Sequence, residues 1–221
     1  MNDITWLSAF LIGLGGSVHC VGMCGGIVGA FSYAIPKNTP HWPYMWAYNI
    51  GRISSYTLAG AFTGYLGSIV SGQLNNGLVI LNLLSGLMLL LLSLYIGQWW
   101  QGLNYLEHLG SRLWSKISPL SKHFLPFRSP LSALPYGIIW GWLPCGLVYS
   151  SLSWSLAGGS ALEGAGIMLF FGLGTLPALL ALGSSTNMIR SVLKHKLTKK
   201  VVASLLLIFA LWLIINAIRA I

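Results

Sequence analysis

Charge is what this chain has least of. Of its 221 residues 7% are charged, only 3 of them acidic, while 55% are hydrophobic. A soluble domain carries about 25% charged residues. This chain therefore cannot cover itself with a polar surface, which excludes a soluble globular protein and leaves a polytopic membrane protein. Cysteine is scarce as well, and all 3 copies (Cys20, Cys24 and Cys145) lie in apolar runs. That excludes an extracellular disulfide framework and leaves buried small hydrophobes, metal ligands or redox thiols. The amino terminus, Met-Asn-Asp-Ile-Thr, has no basic segment and no small-residue cleavage site stands out after it, so the first apolar run is expected to stay as a membrane helix. No nucleic-acid-binding motif is visible. The net charge of +9 comes from loops and so speaks to orientation in a lipid bilayer.

What is present is a set of long apolar segments. They run from about Thr5 to Ile35, Trp46 to Val70, Leu78 to Trp100, Pro130 to Leu156, Leu162 to Leu182 and Val201 to Ile218. Each is long enough to cross the hydrocarbon core. They predict an all-α polytopic protein of six transmembrane helices in a single membrane domain, 1–221. Lys37, then Arg112, Lys116, Lys122 and Arg128, then Arg190, Lys194, Lys196, Lys199 and Lys200 all fall in alternate connections, against Arg219 on the other side. The positive-inside rule places those connections in the cytoplasm and both termini outside. Within the long connection 101–129, Leu103, Leu106, Leu113, Trp114 and Ile117 share one helical face, the pattern of an amphipathic helix on the membrane surface. A linker without structure is the alternative.

Segments one and four both carry cysteine among glycines. Gly51-Arg52-Ile53-Ser54-Ser55-Tyr56 in segment two loosely answers Gly172-Leu173-Gly174-Thr175-Leu176-Pro177 in segment five. A repeat of three helices, an odd number, must place its two copies in opposite orientation, with the working site between them near the midplane. Repeat one is then 1–100 and repeat two 130–221.

The residues that can carry chemistry cluster in two places. Gly-Leu-Gly-Gly-Ser-Val-His-Cys-Val-Gly-Met-Cys-Gly-Gly holds His19, Cys20, Met23 and Cys24; Trp-Leu-Pro-Cys-Gly holds Cys145. Gly22, Gly25 and Gly26 weaken the first helix, and Pro144 invites a kink before Cys145 and Gly146. Two opened helices bearing thiols suit a site reachable from both sides in turn; ordinary packing of small buried cysteines is the alternative. His19, the one histidine in a membrane segment, is an ionisable group in an expensive place. It can lower a thiol pKa, bind a metal, or be a neutral histidine bonded across helices. Met23 is either a soft thioether ligand or packing. With His19, Cys20, Cys24 and Cys145 it makes a donor set suited to Cu(I). Gly172, Gly174, Thr175 and Pro177 read as a broken helix beside the site, or as small-residue helix packing. Arg52 is expected to snorkel from the start of helix two to the membrane surface, with a gating or anion role as the alternative.

Six helices in two inverted triplets, with cysteine in helices one and four, resemble the CcdA/DsbD-type cytochrome c biogenesis membrane proteins. More narrowly, the motif around Cys20 and Cys24, Tyr48-Asn49-Ile50-Gly51-Arg52 and Leu143-Pro144-Cys145-Gly146 resemble the UreH-like transmembrane or sulfite exporter TauE/SafE-like branch. The resemblance implies the bacterial inner membrane. It also implies a reversible disulfide between Cys145 and Cys20 or Cys24, and electrons passing from a cytoplasmic thioredoxin-like donor to a periplasmic thiol protein. Helix one departs from the thiol carriers in having two cysteines, no adjacent proline, and a neighbouring histidine and methionine. Those departures favour the alternative that the branch implies: transport or delivery of copper, or of nickel or cobalt, with a metallochaperone as partner. An anion exporter has less behind it, since Arg52 and Arg219 are the only basic residues near the membrane segments.

Overall fold

The computed structural model describes residues 5–17, 31, 34–36, 39–73, 77–100, 102, 115–116, 119, 124–142, 145–183 and 196–219. Among them there is no β-strand. An apolar chain has to satisfy its own backbone hydrogen bonds in lipid, and helices do this within each segment. The elements are α1 (Thr5–Ser17), α2 (His41–Gln73), α3 (Gly77–Ile96), α4 (Ala133–Gly141, entered through a 3-10 turn at Pro130–Ser132), α5 (Gly146–Ala157), α6 (Ala161–Gly183) and α7 (Lys196–Arg219). Residues 103–114, which hold most of the expected amphipathic helix, lie outside the described residues.

Local chemistry sets several of the boundaries. α3 ends where Gln98 takes the left-handed conformation at φ 61° and the Trp99 N–H reaches back to the Leu94 carbonyl at 3.0 Å, a helix-stopping turn that delivers Trp99 and Trp100 to the exposed end. α5 ends at Gly158, and Gly159, at φ 71°, reverses the chain. Ser160 then caps α6, its hydroxyl accepting the Glu163 N–H at 3.2 Å, so Ser160 and Glu163 sit at the two positions of a capping box.

Three helices, Val79–Ile96, Ala161–Ala181 and Lys200–Arg219, are long and apolar enough to cross a membrane; α4 and α5 add a fourth span if the bent pair is counted as one. The protein is a multi-pass membrane protein. α2 is long enough by far, at about 50 Å for its 33 residues. It is diluted, however, by Asn49, Arg52, Ser54, Ser55, Thr57 and Thr63. It begins at His41, earlier than the expected Trp46.

Glycine decides how closely the helices approach. A Cβ on Gly13 of α1 would meet the Phe171 carbonyl oxygen of α6, and one on Gly174 would meet the Phe10 carbonyl oxygen in return. Between α2 and α4 the same reciprocity holds: Gly51 faces the Leu134 carbonyl, and Gly137 faces the Tyr48 carbonyl. In each helix the glycine lies three residues after the residue whose carbonyl it exposes. The seams are therefore alike in spacing, and both helix pairs run parallel. Gly60 and Gly164 bring α2 and α6 together antiparallel, while Gly86 lets α7 approach α3.

The buried interior has two apolar clusters. One gathers Ala9 and Ile12 of α1, Tyr56 of α2, Leu89 and Leu92 of α3, Cys145, Leu147 and Val148 of the second half of helix four, Ile167, Met168 and Phe171 of α6, and part of α7. The other closes one end of the bundle with Phe31, Ile35, Tyr44, Met45, Tyr48, Phe127, Ala133 and Tyr136. On α2 the buried residues that separate Tyr48 in one cluster from Tyr56 in the other are Gly51 and the polar Asn49, Arg52 and Ser55. On α6, Thr175, also buried, follows Phe171 by one turn toward the same end. A polar layer therefore lies between the clusters.

Candidate functional site

The fourth apolar segment is bent. α4 and α5 meet at 77° across residues 142–145, which is where Pro144 interrupts the apolar run. Pro144 itself lies outside the described residues. Cys145 stands at the break in an extended conformation, φ −126° and ψ 149°, as the amino-terminal cap residue of α5. Its carbonyl accepts the Tyr149 N–H at 3.1 Å, the first turn of the new helix. Gly146 is the first residue of that helix. The side chain is 6% exposed and belongs to the central cluster. A helix amino terminus carries partial positive charge and unsatisfied N–H groups.

Serine hydroxyls hold α5 in place, and the sequence reading missed them. Ser85 of α3 lies 2.8 Å from its own Leu81 carbonyl and 2.7 Å from the Ser153 carbonyl of α5, its single proton shared between them. Ser150 divides its proton between the Gly146 carbonyl at 2.9 Å and the Met88 carbonyl at 3.3 Å. Ser155 does likewise with Ser151 at 3.1 Å and Gly164 at 3.3 Å. Hydroxyl bonds between helices are the usual glue where lipid offers no hydrophobic drive. The available signal was the run of four serines between Tyr149 and Leu156 in an otherwise apolar segment.

Arg52 corrects an expectation. It does not snorkel to the surface: it is 4% exposed, about 16 Å along α2 from the helix start at His41. Its Nε donates to the Tyr56 hydroxyl at 2.9 Å, and its guanidinium carbon is 5.1 Å from the centre of the Tyr56 ring. Tyr56 in turn packs on Phe171, ring centres 5.7 Å apart. A guanidinium is the cation best able to tolerate such a place, because its charge is spread and its donors are many. Gly141, the last residue of α4 and four residues before Cys145, abuts Ser55 and the Arg52 carbonyl, so the charged layer adjoins the bend. Replacing Tyr56 by phenylalanine keeps the ring and removes the acceptor. It is expected to cost about 1.5–3 kcal/mol, the range for a hydrogen bond to a charged group, seen as a lower thermal midpoint of the detergent-purified protein. An unchanged midpoint would mean that the bond contributes nothing.

Gly172, Gly174 and Pro177 do not open a helix. α6 runs unbroken through them from Ala161 to Gly183. Gly172 admits Ile53 and Tyr56, and Gly174 admits the α1 backbone, so small-residue packing describes them. Thr175 turns its hydroxyl onto the Gly172 carbonyl at 2.8 Å. His19, Cys20, Gly22, Met23, Cys24, Gly25 and Gly26 lie outside the described residues. Cys145 is thus the one candidate donor that is described, and among the described residues no group of three or more His, Cys, Asp or Glu comes together.

The described residues form a multi-pass helical bundle in which Cys145 is buried at the amino terminus of α5. Residues 8–212 match the family model described as the cytochrome C biogenesis protein transmembrane region, and the chain belongs to that family. No curated protein and no solved structure gives a significant match.

Proposed function

We propose that this protein relays reducing equivalents across the bacterial inner membrane by thiol–disulfide exchange, in service of cytochrome c or oxidase biogenesis. It would do so with six spans in two inverted repeats and both termini outside. The observation that carries the reading is Cys145, a buried cysteine at a helix amino terminus inside a broken span, in a chain of this family. The partner cysteine is Cys20 or Cys24. A cytoplasmic dithiol donor attacks the membrane disulfide, passes through a mixed disulfide and leaves oxidised. The membrane dithiol then reduces a periplasmic disulfide, so two electrons and two protons move for each cycle. The matched glycine seams of α1 with α6 and α4 with α2 support the inverted repeat, which maps helix one onto four and two onto five.

The resemblance to the UreH-like and TauE/SafE-like branch keeps a second reading, delivery of Cu(I), or of nickel or cobalt, through His19, Cys20, Met23, Cys24 and Cys145. The buried guanidinium of Arg52 works against it, because a fixed cation inside a bundle raises the energy of another cation passing through. One preparation separates the two readings. Proteoliposomes with a reduced thioredoxin-type protein on one side and a disulfide reporter on the other should show reporter reduction that depends on the protein. No reduction, together with stoichiometric copper on the purified protein, would replace the relay with metal handling.

A further inference from the structure

One buried ring of the end cluster is carried by a connection between apolar segments. Phe127 belongs to the short connection Phe124–Ser129 that leads into α4, yet it is 1% exposed. Its ring lies 4.9 Å from Phe31, 5.4 Å edge-on from Tyr136 and 6.0 Å from Tyr44, centre to centre. It therefore fills the space between the end of the first apolar segment and the starts of α2 and α4. Leu180, near the end of α6, packs against the same cluster. The backbone tie is a hydrogen bond from the Phe127 N–H to the Ala34 carbonyl at 3.1 Å. Directly beneath this stopper comes the polar layer of Asn49, Arg52, Ser55 and Thr175, all buried, and beyond it the cluster that holds Cys145. A polar layer deep in a bundle is what a water-filled path needs, and an aromatic constriction is what closes one. Tyr44, Tyr48 and Tyr136 cannot leave without moving α2 or α4; Phe127 can leave with its connection alone, taking the half-buried Phe124 of that connection with it.

We propose that Phe127 is a removable plug that controls access to Cys145 from the end of the bundle bearing the basic connection 101–129. When it is seated, Cys145 is closed to that side. When the connection lifts, the Arg52 layer admits a water-soluble reactant, and admits anions in preference to cations. This goes beyond the relay. It concerns access alone, and it holds or fails whether the thiol carries electrons or binds metal.

The test uses the full chain in sealed membrane vesicles of both orientations, with Cys20→Ser and Cys24→Ser leaving Cys145 as the sole thiol. An Arg128→Cys marker, built on a chain that also carries Cys145→Ala, assigns the side, since Arg128 is exposed. The probe is the membrane-impermeant anion 2-sulfonatoethyl methanethiosulfonate, and its 2-(trimethylammonio)ethyl analogue is the cationic counterpart. Phe127→Ala is expected to raise the rate of Cys145 labelling from the basic-connection side by about tenfold or more, the change in open population from removing one buried ring. The rate from the opposite side should not change, and the anion should outpace the cation. Phe127→Leu, the milder change, should give a smaller rise and serves if the alanine variant does not fold. Leu131→Ala, at an exposed position beside the connection, should behave as the parent. A Phe127 variant that folds and labels at the parent rate from the basic-connection side, or one that labels faster from both sides equally, overturns the plug.

Discussion

Cys145→Ser and Cys145→Ala are expected to abolish thiol transfer, with reporter reduction in proteoliposomes falling to the rate of empty vesicles. Without a sulfur at this position, the proposed disulfide between Cys145 and Cys20 or Cys24 cannot form, and the exchange that couples the two sides has no membrane partner. The two variants differ in what they do to the structure, and that makes the result interpretable. Serine places a hydroxyl in a buried site, at a cost of about 1–3 kcal/mol if it finds no partner. But position 145 caps α5, and a serine there can accept the N–H groups of the first turn, worth about 1 kcal/mol. Alanine leaves those groups as they are and removes one small apolar atom from the central cluster. Both proteins should therefore reach the membrane in near-normal amounts. Transfer that persists in either would place the chemistry elsewhere in the chain. An inactive Cys145→Ala protein at normal abundance, with Cys20 and Cys24 still able to form a disulfide with each other, would instead assign Cys145 the step that couples the two sides.

The segments were legible where physics is one-dimensional. Charge scarcity and apolar length mark membrane helices whatever their neighbours do, and the starts and ends of α3 and α6 fall close to the sequence boundaries. The bend between α4 and α5 falls where the sequence has Pro144, a residue that removes a donor and clashes with a preceding turn in any fold. Depth was not legible. Arg52 in a run near a basic end looks like a snorkelling side chain until α2 is seen to begin at His41 and to turn that residue inward onto Tyr56. Which glycines meet a backbone carbonyl was not legible either. Gly51 faces the Leu134 carbonyl and Gly174 the Phe10 carbonyl, while Gly172 faces the side chains of Ile53 and Tyr56; the sequence does not tell these roles apart. Phe127 was invisible for a related reason. Nothing in Phe-Leu-Pro-Phe-Arg-Ser shows that a loop phenylalanine folds back into the bundle, because its partners Phe31 and Tyr44 are distant in the chain.

Gly137→Val is expected to destabilise the protein by more than about 3 kcal/mol, the upper range of overpacking, so that little folded protein survives extraction in mild detergent. The added Cβ would meet the Tyr48 carbonyl oxygen and its carbon, and these are backbone atoms of a 33-residue helix, with no rotamer to retreat into. Accommodating them means parting α2 from α4 along the whole seam, which also strips Gly51 from the Leu134 carbonyl and loosens the Ser55 hydroxyl from the Ile138 carbonyl, now at 2.9 Å. Gly174→Val should be equally damaging between α1 and α6, since the two seams have the same reciprocal geometry. Gly72→Ala is the contrast: nothing lies within 4 Å of the new Cβ, and an alanine in a helix is better than glycine by about 0.5–1 kcal/mol, so the melting midpoint should hold or rise. Gly137→Val with a parental midpoint would mean that α2 and α4 do not touch there. The polar layer, the Arg52 environment and the approach to Cys145 would then all need another arrangement, because each is positioned by that contact.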